Sequence, residues 1–227
     1  MAEHVDTLED VEPDDEDVQT NAAVPETEPL PSASASMRDG NRLFENGDFR
    51  AAVAQFEAAV RVAPDDAEGW NNLGQTLVRL DRRTEAVLHF EEAVRLDPGR
   101  WAYHFNLGHT LGDLGWWRRS IVQYRHAVAL FPDDFATHYN LGRALHVWGD
   151  DRAAIASYLK AIALAPDEPS FYLSLAQSYE ALARPADVEA AYARYLGMEP
   201  ESAQADVIRA RLEILRHPAT DEPESTR

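Results

Sequence analysis

The chain has 227 residues, with 40 acidic and 21 basic side chains, no cysteine, and a formal net charge of −19. That balance argues against nucleic acid as a partner, because phosphate binding needs clustered Lys and Arg to release counterions. The missing thiols exclude disulfides and thiolate chemistry and lean towards a reducing compartment. Taken in chain order, residues 1–35 come first and hold eleven of the acids and none of the bases. They carry few bulky apolar residues, several prolines and a Ser-Ala run ending at Ser36, so the segment is expected to be a disordered acidic tail. It has no basic stretch followed by an apolar one, so no secretory signal is expected. No run approaches the roughly 18 to 20 apolar residues of a membrane span, and the expected location is the cytoplasm.

From residue 33 onward a period governs the sequence. Prolines fall at Pro64, Pro98, Pro132, Pro166 and Pro200, each 34 residues after the last. This divides the chain into units 33–66, 67–100, 101–134, 135–168 and 169–202 without a gap. The eighth residues are Gly40, Gly74, Gly108, Gly142 and Ala176, and the twenty-fourth are Phe56, Phe90, Tyr124, Tyr158 and Tyr192. Small residues recur at the twentieth (Ala52, Ala86, Ser120, Ala154) and the twenty-seventh (Ala59, Ala93, Ala127, Ala161). Within a unit, Trp70-Leu73-Leu77 and Ala86-Phe90-Ala93 fall at helical spacing, which predicts two amphipathic helices per unit. The small residues let the two backbones approach, and the aromatic fills the space beside them. Proline follows the second helix, and acids such as Asp65-Asp66 and Asp133-Asp134 suit the positive dipole end of the next.

This pattern resembles the tetratricopeptide repeat family, over 170 of the 227 residues. The second unit matches the family motif in full through Trp70, Leu73, Gly74, Leu77, Ala86, Phe90, Ala93 and Pro98. The resemblance implies an all-α, right-handed α-α superhelix of five helix pairs, with the first helix of each pair on the concave side. The end units depart from the motif. Ser36 and Asp39 make the first unit polar, and Val188 and Tyr195 replace small residues in the fifth. After it, Ala205, Ile208, Leu212 and Leu215 make one apolar stripe, which predicts a capping helix over 203–216, since a bare solenoid end aggregates. Residues 217–227 are expected to be a second disordered tail.

No motif of catalysis is present: no glycine-rich phosphate loop, no Gly-x-Ser-x-Gly, no His-Glu-x-x-His. His104 and His138 share one column of neighbouring units, so their rings can face each other. A metal site needs three or four ligands, however, and no third is evident. The alternative is that both histidines pack where Trp70 and Tyr172 pack in their own units. No enzyme, metal or cofactor is expected.

The resemblance places ligands on the second, fifth, sixth, ninth, twelfth and thirteenth residues of each unit. The sixth column runs Arg38, Asn72, Asn106, Asn140, and the ninth runs Asn41, Gln75, His109, Arg143. A carboxamide offers both an acceptor and donors, so a ladder of three can pair with a peptide backbone whatever its side chains. A similar ladder in the repeat domain of O-linked N-acetylglucosamine transferases grips extended peptides. The alternative is that these asparagines bond to a neighbouring helix. Phe105 and Tyr139 flank the ladder and mark the third and fourth units as the expected hot spot, unless Tyr139 is spent on packing within the repeats. The carboxylate clamp by which some family members hold acidic chaperone tails is not expected. Its five places hold Met37, Asn41, Asn72, Ala102 and Asn106, and all three cations are missing.

Trp116 and Trp117, at the turn inside the third unit, are a possible second surface, with Trp116 directed to solvent. The acidic segment is long enough to reach the groove and screen Arg38, Arg79 and Arg143; the alternative is a solubilising role. The expected function is an adaptor that binds an extended segment of another protein, with a self-assembling scaffold as the second reading.

Overall fold

Apolar residues at helical spacing fold as the helices they predict. A computed structural model describes residues 32–217 of the chain. Among the described residues there are eleven helices and no strand. Five pairs come first: α1 (Ala33–Glu45) with α2 (Phe49–Val62), α3 (Ala67–Arg79) with α4 (Arg83–Leu96), and α5 (Trp101–Asp113) with α6 (Trp117–Leu130). They continue with α7 (Phe135–Trp148) and α8 (Asp151–Leu164), then α9 (Pro169–Ala181) and α10 (Pro185–Met198). The eleventh, α11 (Ala205–Arg216), lays Ala205, Ile208 and Leu212 inward at the end of the stack. The acidic segment up to residue 31, with its proposed reach to the groove, and the tail from 218 lie outside the described residues. Helix α1 begins at Ala33, inside the segment 1–35 expected as tail. Ser32 caps it, its hydroxyl oxygen accepting from the Ala35 amide at 3.2 Å, so the Ser-Ala run joins the helix.

The layer order follows from which helices touch. Each second helix packs on its own first helix and on the first helix of the next unit. Successive first helices also approach one another, whereas no two second helices of the repeats do. First helices therefore form the inner layer and second helices the splayed outer one, which puts the concave face on α1, α3, α5, α7 and α9.

The repeated columns show why this packing is specific. A Cβ on Gly142 would stand 2.6 Å from Cε1 of Tyr158, and one on Gly74 would stand 2.8 Å from Cε1 of Phe90. The aromatic ring occupies the volume that a side chain on the facing helix would need. Ser120 replaces the usual alanine at no steric cost because its hydroxyl donates to the Gly108 carbonyl at 2.6 Å.

Two further columns tie the units together. The fifteenth residue is left-handed in every unit: Gly47, Asp81, Gly115, Gly149 and Ala183 have φ of 83°, 62°, 75°, 91° and 51°. In each turn the next amide bonds back to the first helix, as from Asp48 to Leu43 and from Trp116 to Leu111, closing the helix end in Schellman fashion. At the fourth column, Trp70 Nε1 donates to the Pro64 carbonyl (2.9 Å) and Tyr172 Oη to that of Pro166 (3.0 Å). His104 Nε2 and His138 Nε2 do the same to Pro98 (3.1 Å) and Pro132 (2.9 Å). These two histidines are packing residues with a bonded ring tip. His104 stacks on His126 (centroids 5.2 Å apart) and has the Gln123 amide at its Nδ1.

Trp70 stacks on His89 with ring centroids 5.5 Å apart. Burial holds His89 below the ordinary histidine value, against the opposing pull of Glu57 and Glu85. The unfolded chain takes up this proton near pH 6.5 (about the free value) and the folded chain only at lower pH. Stability present above that pH is therefore lost as the pH falls through it. Urea midpoints are expected to drop between about pH 7.5 and 5.5, and His89→Gln is expected to flatten the slope. An unchanged slope in the variant would remove His89 as its source.

Candidate peptide-binding groove

The inner helices hold two hollows that share a wall. One is lined by Phe44, Gln75, Arg79, Phe105, Asn106 and His109, with about 660 Å³ of empty space open to solvent. The other is a narrower cleft of about 40 Å³ between α5 and α7, lined by His109, Asp113, Tyr124, Asn140 and Arg143 among others. His109 separates them. Of the residues singled out from sequence, Gln75, Phe105, Asn106, His109, Asn140 and Arg143 are thus brought together. Arg38 and Asn41, both exposed on α1, and half-buried Asn72 lie beyond the hollows on the same inner layer. Phe44 and Val78, from the twelfth column, are lining residues that were not singled out, although that column was among those assigned to the concave side.

Carboxamides link across the units. Asn106 Nδ2 donates to Asn71 Oδ1 at 2.8 Å, Asn71 Nδ2 to Asn72 Oδ1 at 3.3 Å, and Asn72 Nδ2 to Asn41 Oδ1 at 3.2 Å. Asn140 instead turns to its own helix and donates to the Ala136 carbonyl at 2.8 Å. The ladder is therefore a relay over the first three units that stops at the fourth. Each Nδ2 still has a second hydrogen to give.

The aromatic flank is divided. Phe105 is half-buried, with its ring edge-on to Tyr124 at 5.9 Å and next to the His109 ring. Tyr139 packs on Phe171 at 4.7 Å, and its hydroxyl lies 3.3 Å from Ser174 Oγ, so much of its ring is used between units four and five. Arg79 lies over the Phe49 ring at 4.4 Å and Arg143 over the Tyr139 ring at 6.0 Å.

Trp116 and Trp117 do not form one surface. Trp117 turns into the core against the Gly112 side of α5, while Trp116 is 40% exposed under the Arg119 guanidinium. Trp148, at the end of α7, is more exposed still at 57% and escaped notice in the sequence.

One cluster has the composition of a catalytic triad. His146 Nδ1 lies 2.5 Å from Asp151 Oδ1 and 3.2 Å from Ser178 Oγ. Both partners meet the same ring nitrogen, so the imidazole cannot take a proton from the serine while the carboxylate orients its other side. Ser178 is also fully buried, out of reach of a substrate. No group of three or more His, Asp or Glu side chains suited to a metal occurs among the described residues.

The Tetratricopeptide repeat family profile matches residues 38–100 and 105–169, more than half the chain. The chain belongs to the tetratricopeptide repeat family. Its fold is accordingly the right-handed superhelix of helix pairs, closed by α11. Solved structures agree at the level of fold. MamA superposes with a TM-score of 0.71 at 22% identity, over 76% of this chain and 94% of that one. MamA from Desulfovibrio magneticus RS-1 gives 0.71 at 19% identity, over 75% and 97%. YrrB, described as a TPR protein with an unusual peptide-binding site, gives 0.73 at 17% identity, over 78% and 92%. No curated protein matches the chain. Tetratricopeptide repeats serve in protein binding, and no helix among the described residues is long and apolar enough to cross a membrane.

Proposed function

We propose that this tetratricopeptide chain is a non-catalytic cytoplasmic adaptor that binds an extended segment of a partner protein along its concave face. The pair of hollows meeting at His109 carries the reading. Two neighbouring hollows with an apolar ring on one side and carboxamides on the other fit a peptide backbone that passes over His109 with a bulky side chain dropped into the Phe105 hollow. YrrB, with its peptide-binding site on the same fold, supports it. The hollows hold only Arg79 and Arg143 against Asp113, too few cations for a phosphate backbone, which disfavours nucleic acid. No cofactor is required.

Partial burial of Phe105 by a ligand is worth about 1 to 2 kcal/mol, a factor of roughly 5 to 30 in affinity. Quantitative pull-down from native lysate, wild type against Phe105→Ala, is the test, with circular dichroism confirming that both fold. Partners retained by wild type and depleted on the variant support the groove; equal retention on both overturns it.

A second reading is a self-assembling scaffold. Val207 and Ile214 on the outward side of α11 are 70% and 58% exposed, so the cap leaves two apolar side chains uncovered among its charged ones. A sedimentation mass that stays monomeric at high concentration would end that reading.

A further inference from the structure

Peptide binding in the groove leaves the opposite, outer face of the third and fourth units unexplained. Helix α6 carries Arg118, Arg119 and Arg125 and not one carboxylate in its 14 residues. Helix α8 adds Arg152 and Lys160 against a single acid, Asp151, which is turned inward to His146. All five cations are exposed. Arg118 and Arg152 hold the same place in successive units, and Lys160 is one place on from the equivalent of Arg125, so they share one outward strip. The flanking second helices neutralise themselves: Glu92 with Arg95 on α4, and Asp187 with Arg184 beside α10. On the strip, Arg119 pairs with Glu91 and Lys160 lies 3.8 Å from Asp133. Arg118, Arg125 and Arg152 have no carboxylate partner among the described residues. Val122 and Leu159 stand among them, 44% and 47% exposed.

We propose that this outer face of α6 and α8 is a second docking surface, which takes a carboxylate-rich segment of a partner protein. On a chain of net charge −19 the overall field opposes an acidic partner, so a face where Arg118, Arg125 and Arg152 have no carboxylate partner, beside Arg119 and Lys160 paired only with Glu91 and Asp133, marks the place that admits it. Four of the five are arginines, whose planar forks match carboxylates two bonds at a time. Val122 and Leu159 supply apolar contact between the charges, as suits a segment in which acids alternate with apolar residues. The strip lies on the layer opposite the groove, so both can be occupied at once.

Lys160 makes the proposal directly testable, because it is the only lysine in the chain. A synthetic peptide of alternating Glu and Leu is mixed with the full-length protein at low ionic strength, and a zero-length carbodiimide joins touching carboxylates to amines. Mass spectrometry is expected to find the peptide attached at Lys160. Replacing Arg118, Arg125 and Arg152 together by Ser is expected to cut the yield about fivefold, from the loss of three exposed pairings. Phe105→Ala is expected to leave it unchanged. Circular dichroism of both variants separates lost docking from lost fold. Lys160 joined only to Asp133, a yield indifferent to the arginines, or displacement of the peptide by an oligothymidylate of equal charge but not by excess unlabelled peptide would each overturn the proposal.

Discussion

Replacing Tyr158 with alanine is expected to cost about 3–5 kcal/mol, the range for removing a fully buried aromatic ring. Tyr158 is 1% exposed, and burial pushes its phenol above the ordinary tyrosine range. Its ring fills the space left by Gly142, so after truncation no side chain on the facing helix can relax into the cavity. That places the cost towards the upper end. Tyr158→Phe keeps the ring and is expected to cost under about 1.5 kcal/mol, the price of one hydrogen bond at most. Phe56 and Phe90 already hold the equivalent place in the first two units. Because each unit is stabilised by its neighbours, damage at the fourth of five units is also expected to uncouple the two ends. Urea denaturation followed by circular dichroism reads both effects, as a lower midpoint and a shallower transition. An alanine variant no less stable than the phenylalanine one would show that the ring does not hold the pair together.

The triple change Asn72→Ala, Asn106→Ala, Asn140→Ala is expected to weaken the groove's peptide ligand roughly 10- to 150-fold. Three neutral hydrogen bonds are worth about 1.5 to 4.5 kcal/mol net, and the lower half of that range applies here. The reason is that each Nδ2 is already bonded inside the protein, to Asn41, to Asn71 or to the Ala136 carbonyl, so a ligand competes for only part of each amide. Asn71→Ala is the control. It removes the acceptor that tethers Asn106, yet Asn71 is buried and presents little to a ligand. A loss of affinity from Asn71→Ala equal to that of the triple variant would mean that the relay only positions the helices. Full affinity in the triple variant, measured by titration of the captured partner segment, would place binding elsewhere.

The period of 34 residues was legible because each unit must present the same small and aromatic residues to identical neighbours. The glycines of the eighth column and the rings of the twenty-fourth could be read as a facing pair, and the structure packs them so. The inner placement of the first helices followed from the family pattern for the same reason, since they repeat in register. Other columns were hidden by chemistry that changes from unit to unit. The left-handed fifteenth residue is glycine three times, but Asp81 and Ala183 break the column, because the turn tolerates a strained non-glycine where the helix closure demands it. At the fourth column Trp70, His104, His138 and Tyr172 look like rings chosen for bulk; their shared property is a polar hydrogen at the ring tip, spent on a proline carbonyl six residues back.

By itself, then, the sequence determined the all-α repeat, its five units, its capping helix and the side of the helices that faces inward, all consequences of a spacing that one dimension can carry. Only the tertiary structure decided how those columns are used. It linked the asparagines of separate units into a relay and spent much of the Tyr139 ring on Phe171 of the next unit. These depend on distances between helices more than 30 residues apart in the chain, and no periodicity within a single helix encodes which side chain a neighbouring unit will meet.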